Sequence, residues 1–284
     1  MGANFSGCVS DSEFSDVGVR PRLGDIPESC AALVLMYMDP PEICKMARLN
    51  RAFRGASSAD FIWESKLPSN YKFIVKQVLK DASVMELGKK KDVYARLCTP
   101  NLFDNGTKEL RINKRTGGIC LAISSKAFRI TGIDDRRYWN YISTEEARFQ
   151  TVAYLQQIWW LEVEGDIDFQ FPAGRYSVFF RLQLGRSSKR CGRWVCNTEH
   201  VHGWDIKPVR LKLSTSDGQH AVSQYHLDNP GKWVLYPVGS FVSQNPKDVM
   251  NIKFSLTQID CTHIKGGLCV DSVLIRNSND VGKE

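Results

Sequence analysis

The chain has 284 residues, of which 43% are hydrophobic and 24% charged, a composition typical of a globular protein rather than a disordered one. No apolar run is long enough to span a bilayer, and residues 1–16 lack the basic region and apolar core of a secretory signal. The net charge of +7 is modest, so basic clusters such as Lys89–Lys91 are expected to be solvated faces, not nucleic-acid sites. Nine scattered cysteines, an odd number, are expected to be thiols in a reducing compartment.

Residues 1–22 are small and polar and are predicted to form a flexible N-terminal segment. Met1-Gly2 followed by Ser6 fits the N-myristoylation pattern, and Cys8 lies where a palmitoyl chain could supply a second anchor. Gly2 and Cys8 are therefore candidate lipidation sites. Contact with a membrane is expected only if Gly2 is acylated.

Residues 23–80 have the periodicity of helices. In the first helix, one face carries five residues at helical spacing: Cys30, Leu33, Val34, Tyr37 and Met38.

The segment Asp39–Glu42 joins two helices. Asp39 can cap the second helix, and Pro40 and Pro41 are tolerated because amides of the first turn have no partner. The second helix is predicted to continue through Asn50 and Phe53, and a third to start at Ser57-Ser58. A unit this small buries little apolar surface, so it is expected to need the rest of the chain or a partner.

From about residue 115 the period changes to the alternation of strands. The clearest case is residues 175–184, and residues 209–213 and 252–256 alternate in the same way. Turn residues separate these segments, as in an antiparallel β-sandwich. One helix is predicted at Ser143–Phe149.

Motifs for catalysis are missing from the sequence: it has no nucleophile elbow, P-loop, dinucleotide fingerprint or zincin motif. Four alternating acids, Glu162, Glu164, Asp166 and Asp168, could supply a glycosidase pair. They are interpreted instead as the solvent face of two strands that meet at Gly165.

Cys191, Cys196, His200 and His202 are the best candidates for metal ligands. Their spacing is not that of a usual zinc site, so neither a metal nor a cofactor is predicted.

The sequence contains pairs of adjacent aromatic residues, among them Trp159-Trp160 and Tyr138-Trp139. Trp159-Trp160 is predicted to lie in the sandwich core with one ring on each face and at least one buried. Tyr138-Trp139 follows the polar run 134–137. An exposed aromatic flanked by hydrogen-bonding groups suits sugar recognition, and the alternative is a loop aromatic that folds back on the core.

Residues 23–67 resemble an F-box. The matching elements, in order, are Ile26-Pro27, Asp39–Ile43, Asn50–Phe53 and Ser57–Trp63. The resemblance implies docking to a Skp-type adaptor, and through it to a cullin, in an SCF ubiquitin ligase. The adaptor-binding residues that it implies are Leu23, Ile26, Pro27, Leu33, Met38, Pro40, Pro41, Ile43, Met46, Leu49, Phe53 and Trp63.

Residues 115 to 276 resemble the phloem-lectin domain of plant phloem protein 2-like proteins, through stretches such as "AFRITGIDDRRYWNYI", "QQIWWLEVEGDIDFQF" and "GKWVLYPVGSF". The resemblance implies a jelly-roll-like sandwich that binds chitin-type oligosaccharides and N-glycans. The sugar-site residues correspond to Tyr138 and Trp139, a tryptophan preceding them in lectin members corresponds to Gly132, and two acidic positions correspond to Asn251 and Gln258.

The expected fold class is α+β, a small N-terminal all-α F-box unit followed by an antiparallel, jelly-roll-like β-sandwich. The predicted divisions are a flexible N-terminus at 1–22, the F-box at 23–70, a helical linker at 71–114, the sandwich at 115–278 and a tail at 279–284. The resemblances imply a non-catalytic substrate receptor of the nucleus and cytoplasm. The alternatives are a stress-related lectin with a vestigial F-box and a hydrolase of glycans.

Overall fold

The computed structural model of the chain describes residues 23–79, 88–190 and 193–280. The lipidation candidates Gly2 and Cys8, the predicted flexible segment and Cys191 lie outside the described residues.

The described residues contain six α-helices, grouped at the N-terminal end of the chain. They are α1 (Glu28–Met36), α2 (Pro40–Met46), α3 (Arg51–Ala56), α4 (Asp60–Lys66), α5 (Tyr71–Val78) and α6 (Lys90–Leu97).

The local sequence explains where the first helices begin. Asp39 stands at the N-cap position of α2 but its side chain makes no capping hydrogen bond, and the two prolines occupy the first turn, as the sequence predicts. Asn50 has an extended backbone, and its Oδ1 accepts from the Phe53 amide at 2.9 Å. The prediction of one helix through Asn50 and Phe53 was therefore wrong, because Asn50 ends the preceding segment and caps α3.

The rest of the described chain forms fifteen strands. They are β1 (Asn101–Phe103), β2 (Lys108–Ile112), β3 (Ile119–Ser124), β4 (Arg129–Ile130), β5 (Trp139–Ser143), β6 (Thr151–Leu155), β7 (Leu161–Gln170), β8 (Gly174–Leu184), β9 (Arg186–Arg190), β10 (Arg193–Asn197), β11 (Val209–Thr215), β12 (His220–Tyr225), β13 (Trp233–Ser243), β14 (Val249–Gln258) and β15 (Leu268–Asn277).

Two antiparallel sheets form the sandwich. In the first, β15 is central, with β3 and β6 on one side and β8, followed by β13, on the other. The second has the order β12-β11-β14-β7-β4, and β9 and β10 form a separate hairpin. Phe128, Phe180 and Phe254 meet edge-to-face, with ring centroids 5.4 to 6.2 Å apart. Because Phe180 belongs to the first sheet and Phe254 to the second, these rings form the centre of the core, and the predicted α+β fold with an antiparallel sandwich is confirmed.

Three local predictions were wrong. Strands β1 and β2 lie within the predicted helical linker and join the first sheet through β3. Residues Ser143–Phe149 form no helix, since β5 runs to Ser143 and turns follow it. Strand β7 is continuous through Gly165, which leaves room for the Phe254 ring: a Cβ at Gly165 would lie 2.5 Å from Phe254 Cε2.

The prediction for Trp159 and Trp160 was also wrong. Their side chains are 50% and 43% exposed. Both precede the first residue of β7, Leu161, so the alternation of the strand does not yet apply to them. The Trp160 Nε1 donates to the Glu162 carboxylate at 3.2 Å.

The helices share one core with the sandwich. The Phe73 ring of α5 lies edge-on to Phe169 of β7, with centroids 5.4 Å apart. Trp63 of α4 packs against Tyr94 of α6 at 5.3 Å, and the Tyr94 hydroxyl lies 3.3 Å from the carbonyl oxygen of Asn113, next to β2. The helical unit is too small to bury much apolar surface by itself, and its packing on the sandwich supplies further apolar contacts.

Replacing Trp63 should therefore lower the stability of the folded protein. The ring is 3% exposed and its Nε1 donates to the Ser57 carbonyl at 2.8 Å. We expect Trp63→Ala to lower the free energy of unfolding by about 3–5 kcal/mol in a denaturant titration. The exposed Trp160→Ala is the control and should lower it by less than about 1 kcal/mol. Equal losses would contradict this assignment of core and surface.

The seven described cysteines are free, as predicted. Burial raises the pKa of Cys269 to about 12 and that of Cys98 to about 11, whereas Cys30, Cys44 and Cys261 are exposed. The two raised values keep these thiols protonated at pH 8, and the thiolate is the nucleophile. We therefore expect iodoacetamide at pH 8 to alkylate the three exposed cysteines first in site-resolved mass spectrometry. Rapid alkylation of Cys269 in the folded protein would contradict this.

Candidate functional site

Helix α1 exposes an apolar stripe. Ala31, Ala32 and Leu35 are buried against the other helices. On the opposite side, Leu33 is 56%, Val34 50% and Tyr37 85% exposed.

We name the exposed side of α1, formed by Cys30, Leu33, Val34 and Tyr37, the α1 face. All four belong to the stripe that the sequence periodicity identifies. A helix that is apolar all round but buried on one side only leaves an apolar surface in water, and such surfaces are typical of interaction sites. Leu23, Leu49 and Phe61 are further exposed apolar residues of the helical unit.

The predicted adaptor-binding residues differ in exposure. Leu23, Pro27, Leu33 and Leu49 are exposed, Ile26, Met38, Pro41 and Met46 are half-buried, and Pro40, Ile43, Phe53 and Trp63 are buried. The four buried side chains are core residues that hold the helices together, so in this structure they offer no surface to a partner. Val34 and Tyr37 are exposed but were not among the predicted adaptor-binding residues. The sequence feature that could have identified them is that α1 is apolar on two sides, of which only one can face the core.

The sandwich carries a cleft of about 1140 Å³ next to β5 and β6. We name it the β5 cleft. Its walls come from the loop before β5, from the segment after β6, from the first residue of β9 and from the segment after β10. Residues that line it include Asp134, Arg136, Tyr141, Gln156, Arg186 and His202.

Hydrogen bonds hold these walls in place. The Gln156 amide donates to the Tyr138 carbonyl at 2.8 Å, and the Gln156 Nε2 donates to the Arg136 carbonyl at 2.9 Å. A Cβ at Gly266 would lie 2.2 Å from the Gln156 carbonyl oxygen and 2.7 Å from His202 Cε1. Only glycine therefore allows the two walls to approach each other so closely at this point.

Two tyrosines face the β5 cleft. Burial and then the charge of Asp134 raise the pKa of Tyr141, and burial is the largest cause that raises the pKa of Tyr154. Both phenols stay neutral at physiological pH and can donate hydrogen bonds. The Arg186 guanidinium lies 5.9 Å from the Tyr154 ring centroid.

Trp139 is not available for stacking against a sugar. It is 1% exposed, and its Nε1 donates to the Thr131 carbonyl at 3.1 Å, so the ring is part of the core. Tyr138 is half-buried, with the Arg137 guanidinium 5.6 Å from its ring centroid. The interpretation of Tyr138-Trp139 as an exposed pair was therefore wrong for Trp139, and the alternative of an aromatic that folds back on the core is correct for it.

Gly132 could not be replaced by tryptophan without rearrangement. Its φ is +79°, and a Cβ there would lie 3.3 Å from Tyr138 Cδ2.

Asn251 and Gln258 do not form one site. They lie seven residues apart on β14, which corresponds to about 23 Å along a strand. The Asn251 Nδ2 donates to the Asp168 carboxylate at 2.9 Å. Gln258 is buried, and its Nε2 donates to the Lys207 carbonyl at 2.6 Å. Because β14 belongs to the second sheet and β5 to the first, the structure does not bring the four predicted sugar-site residues together.

The described residues do not assemble a metal site. No group of three or more His, Cys, Asp or Glu residues among them could hold a metal ion. His200 and His202 both line the β5 cleft, and the His202 Nδ1 lies 2.9 Å from the His200 carbonyl oxygen. No helix among the described residues is long and apolar enough to cross a membrane.

The described chain thus combines a helical unit that has an exposed apolar face with an antiparallel β-sandwich that carries a polar cleft. The family model for phloem protein 2 matches residues 118–277. The chain is 61% identical over 278 residues to F-box protein PP2-A13 of Arabidopsis thaliana, with 97% of this chain and 96% of that protein covered. It is 54% identical to F-box protein PP2-A11 of the same plant, with 97% and 94% covered.

The chain therefore belongs to the phloem protein 2 family and is a plant F-box protein of that family. Among solved structures, it resembles a family 35 carbohydrate binding module from Clostridium thermocellum, with a TM-score of 0.33, 10% identity, and 55% of this chain and 96% of that chain covered. A TM-score this low carries no argument about function.

Because Trp139 is buried, its substitution should affect the stability of the fold. We expect Trp139→Ala to lower the free energy of unfolding by about 3–5 kcal/mol, because it removes a buried ring. Tyr141→Ala, two residues along the same strand and 43% exposed at the wild-type side chain, should lower it by less than about 1 kcal/mol. Thermal and denaturant unfolding would measure both, and an unchanged stability of Trp139→Ala would contradict its place in the core.

Proposed function

We propose that the protein is the substrate-receptor subunit of an SCF-type ubiquitin ligase. The α1 face docks a Skp-type adaptor, which links the protein to a cullin, and the sandwich recruits target proteins, some of them glycosylated. Bond formation belongs to the ligase partners, so the receptor itself is non-catalytic and needs no cofactor.

The observation that carries this proposal is the exposed α1 face. No described residue covers Leu33, Val34 and Tyr37, and burying one such side chain in an interface contributes about 1.5–3 kcal/mol. A stable interface buries more than about 1,000 Å² in total. Leu23 and Leu49 are further exposed apolar side chains of the helical unit, and the Asn50 Nδ2, next to Leu49, donates to the Leu23 carbonyl oxygen at 3.5 Å.

The β5 cleft supports the second half of the proposal. It is walled by hydrogen-bonded loops and lined by amide, hydroxyl and charged groups. Such groups suit a polar ligand such as a glycan.

The place of action that fits this role is the nucleus and cytoplasm. Acylation of Gly2 would add a membrane-associated pool.

Adaptor binding tests the proposal. We expect the full chain to bind a purified Skp-type adaptor, and Leu33→Asp to weaken binding at least about tenfold, because it places a carboxylate in an apolar interface. Leu102→Asp is the matched control, since Leu102 is 59% exposed but lies on β1 of the sandwich. Titration calorimetry or biolayer interferometry would give the two affinities.

Two results would count against the proposal. One is wild-type protein that binds no adaptor, which would favour the alternative of a lectin with a vestigial F-box. The other is an equal loss for Leu33→Asp and Leu102→Asp, which would place the contact elsewhere.

A further inference from the structure

Two arginines of the β5 cleft have no carboxylate partner among the described residues. Most other described arginines near the sandwich have one: Arg129 pairs with Asp166 at 3.0 Å and Arg137 with Asp135 at 2.6 Å. No such pair is found within the described ranges for Arg136 or Arg186, although both are exposed and line the same cleft. The cleft therefore holds guanidinium groups whose charge is not neutralised from within the described chain.

The lining as a whole favours an anion. Asp134 is the single carboxylate among the described lining residues, against the two guanidinium groups of Arg136 and Arg186. A guanidinium binds a carboxylate through two parallel hydrogen bonds, and such charge-assisted bonds are about twice as strong as neutral ones.

Groups that suit hydroxyls line the same cleft as the two arginines. The Asn140 Nδ2 is 3.5 Å from the Arg136 carbonyl oxygen, and Asn140 pairs in register with Tyr154, whose ring lies beneath the Arg186 guanidinium. Asn140 and Gln157 offer both donors and acceptors to the cleft. Tyr141, 43% exposed, adds an aromatic surface for the C–H face of a sugar ring.

We infer that the β5 cleft binds an acidic oligosaccharide built from uronic acid residues, with its carboxylates held by Arg136 and Arg186. A uronic acid chain presents one carboxylate per ring with hydroxyls between, which suits a cleft lined by two guanidinium groups and by side-chain amides. A cleft of about 1140 Å³ has room for more than one ring. The inference rests on the proposed role of the sandwich as a glycan-binding module, and it names the class of glycan.

Tetragalacturonate and its fully methyl-esterified form are the probes, titrated calorimetrically into the full chain. The ester keeps the sugar chain but removes every charge. We expect the acid to bind at least about tenfold more tightly than the ester, and its binding to weaken as salt is raised. Arg136→Gln and Arg186→Gln should each weaken binding of the acid by about tenfold or more.

Arg210→Gln is the matched control. Arg210 is an exposed arginine of β11 in the second sheet and does not line the cleft. Its substitution should leave binding unchanged, while circular dichroism and adaptor binding should be unchanged in all three variants.

Several outcomes would overturn the inference. They are equal binding of acid and ester, an equal loss in Arg210→Gln, binding of neutral chitin oligomers without tetragalacturonate, or binding of a phosphoserine peptide in its place. The adaptor-binding measurement distinguishes a failure of this inference from a failure of the proposed receptor function, because adaptor binding depends on the α1 face and not on the cleft.

Discussion

The packing of the helices onto the sandwich is the contact on which the rest of the structure depends. Phe73 against Phe169, and Trp63 against Tyr94 beside the start of the sandwich, tie the helices into a single core. Six short helices could not hold a stable unit of this size alone. Because the core is completed from within the chain, the outer side of α1 does not have to serve it. Its apolar residues can remain in water until a partner covers them.

The α1 face and the β5 cleft differ in chemistry and in the part of the fold that carries them. The α1 face is apolar and belongs to a helix, whereas the β5 cleft is polar and charged and is walled by loops that the sandwich positions. Close contact at Gly266 and the hydrogen bonds of Gln156 hold the walls of the cleft in place. In the proposed function, an adaptor covers the α1 face while the β5 cleft binds a target. Because Trp139 is buried, the proposed sugar recognition falls to the groups that line the cleft.

The sequence predicted features that depend on neighbouring residues, and it failed where a feature depends on contacts between distant segments. The start of α2 after Asp39, the strand alternation at 175–184 and the apolar stripe on α1 are local, and the sequence predicted all three. Trp159 and Trp160 were misplaced because exposure depends on where β7 begins, which its pairing with β14 decides. The stripe on α1 was visible, but whether it faced the core or water depended on Ala31, Ala32 and Leu35, which also make an apolar side.

The sequence by itself determined the division into an N-terminal helical unit and an antiparallel sandwich, and the family, because these depend on periodicity, turn residues and ordered motifs. Only the tertiary structure decided which of the singled-out residues can meet a ligand. It buried Trp139 and Gln258, placed Asn251 and Gln258 at separate points of β14, and brought Arg136 and Arg186 to one cleft from segments 50 positions apart in the numbering. The physical reason is that exposure and proximity arise from strand pairing and sheet packing between distant segments, which no local pattern records.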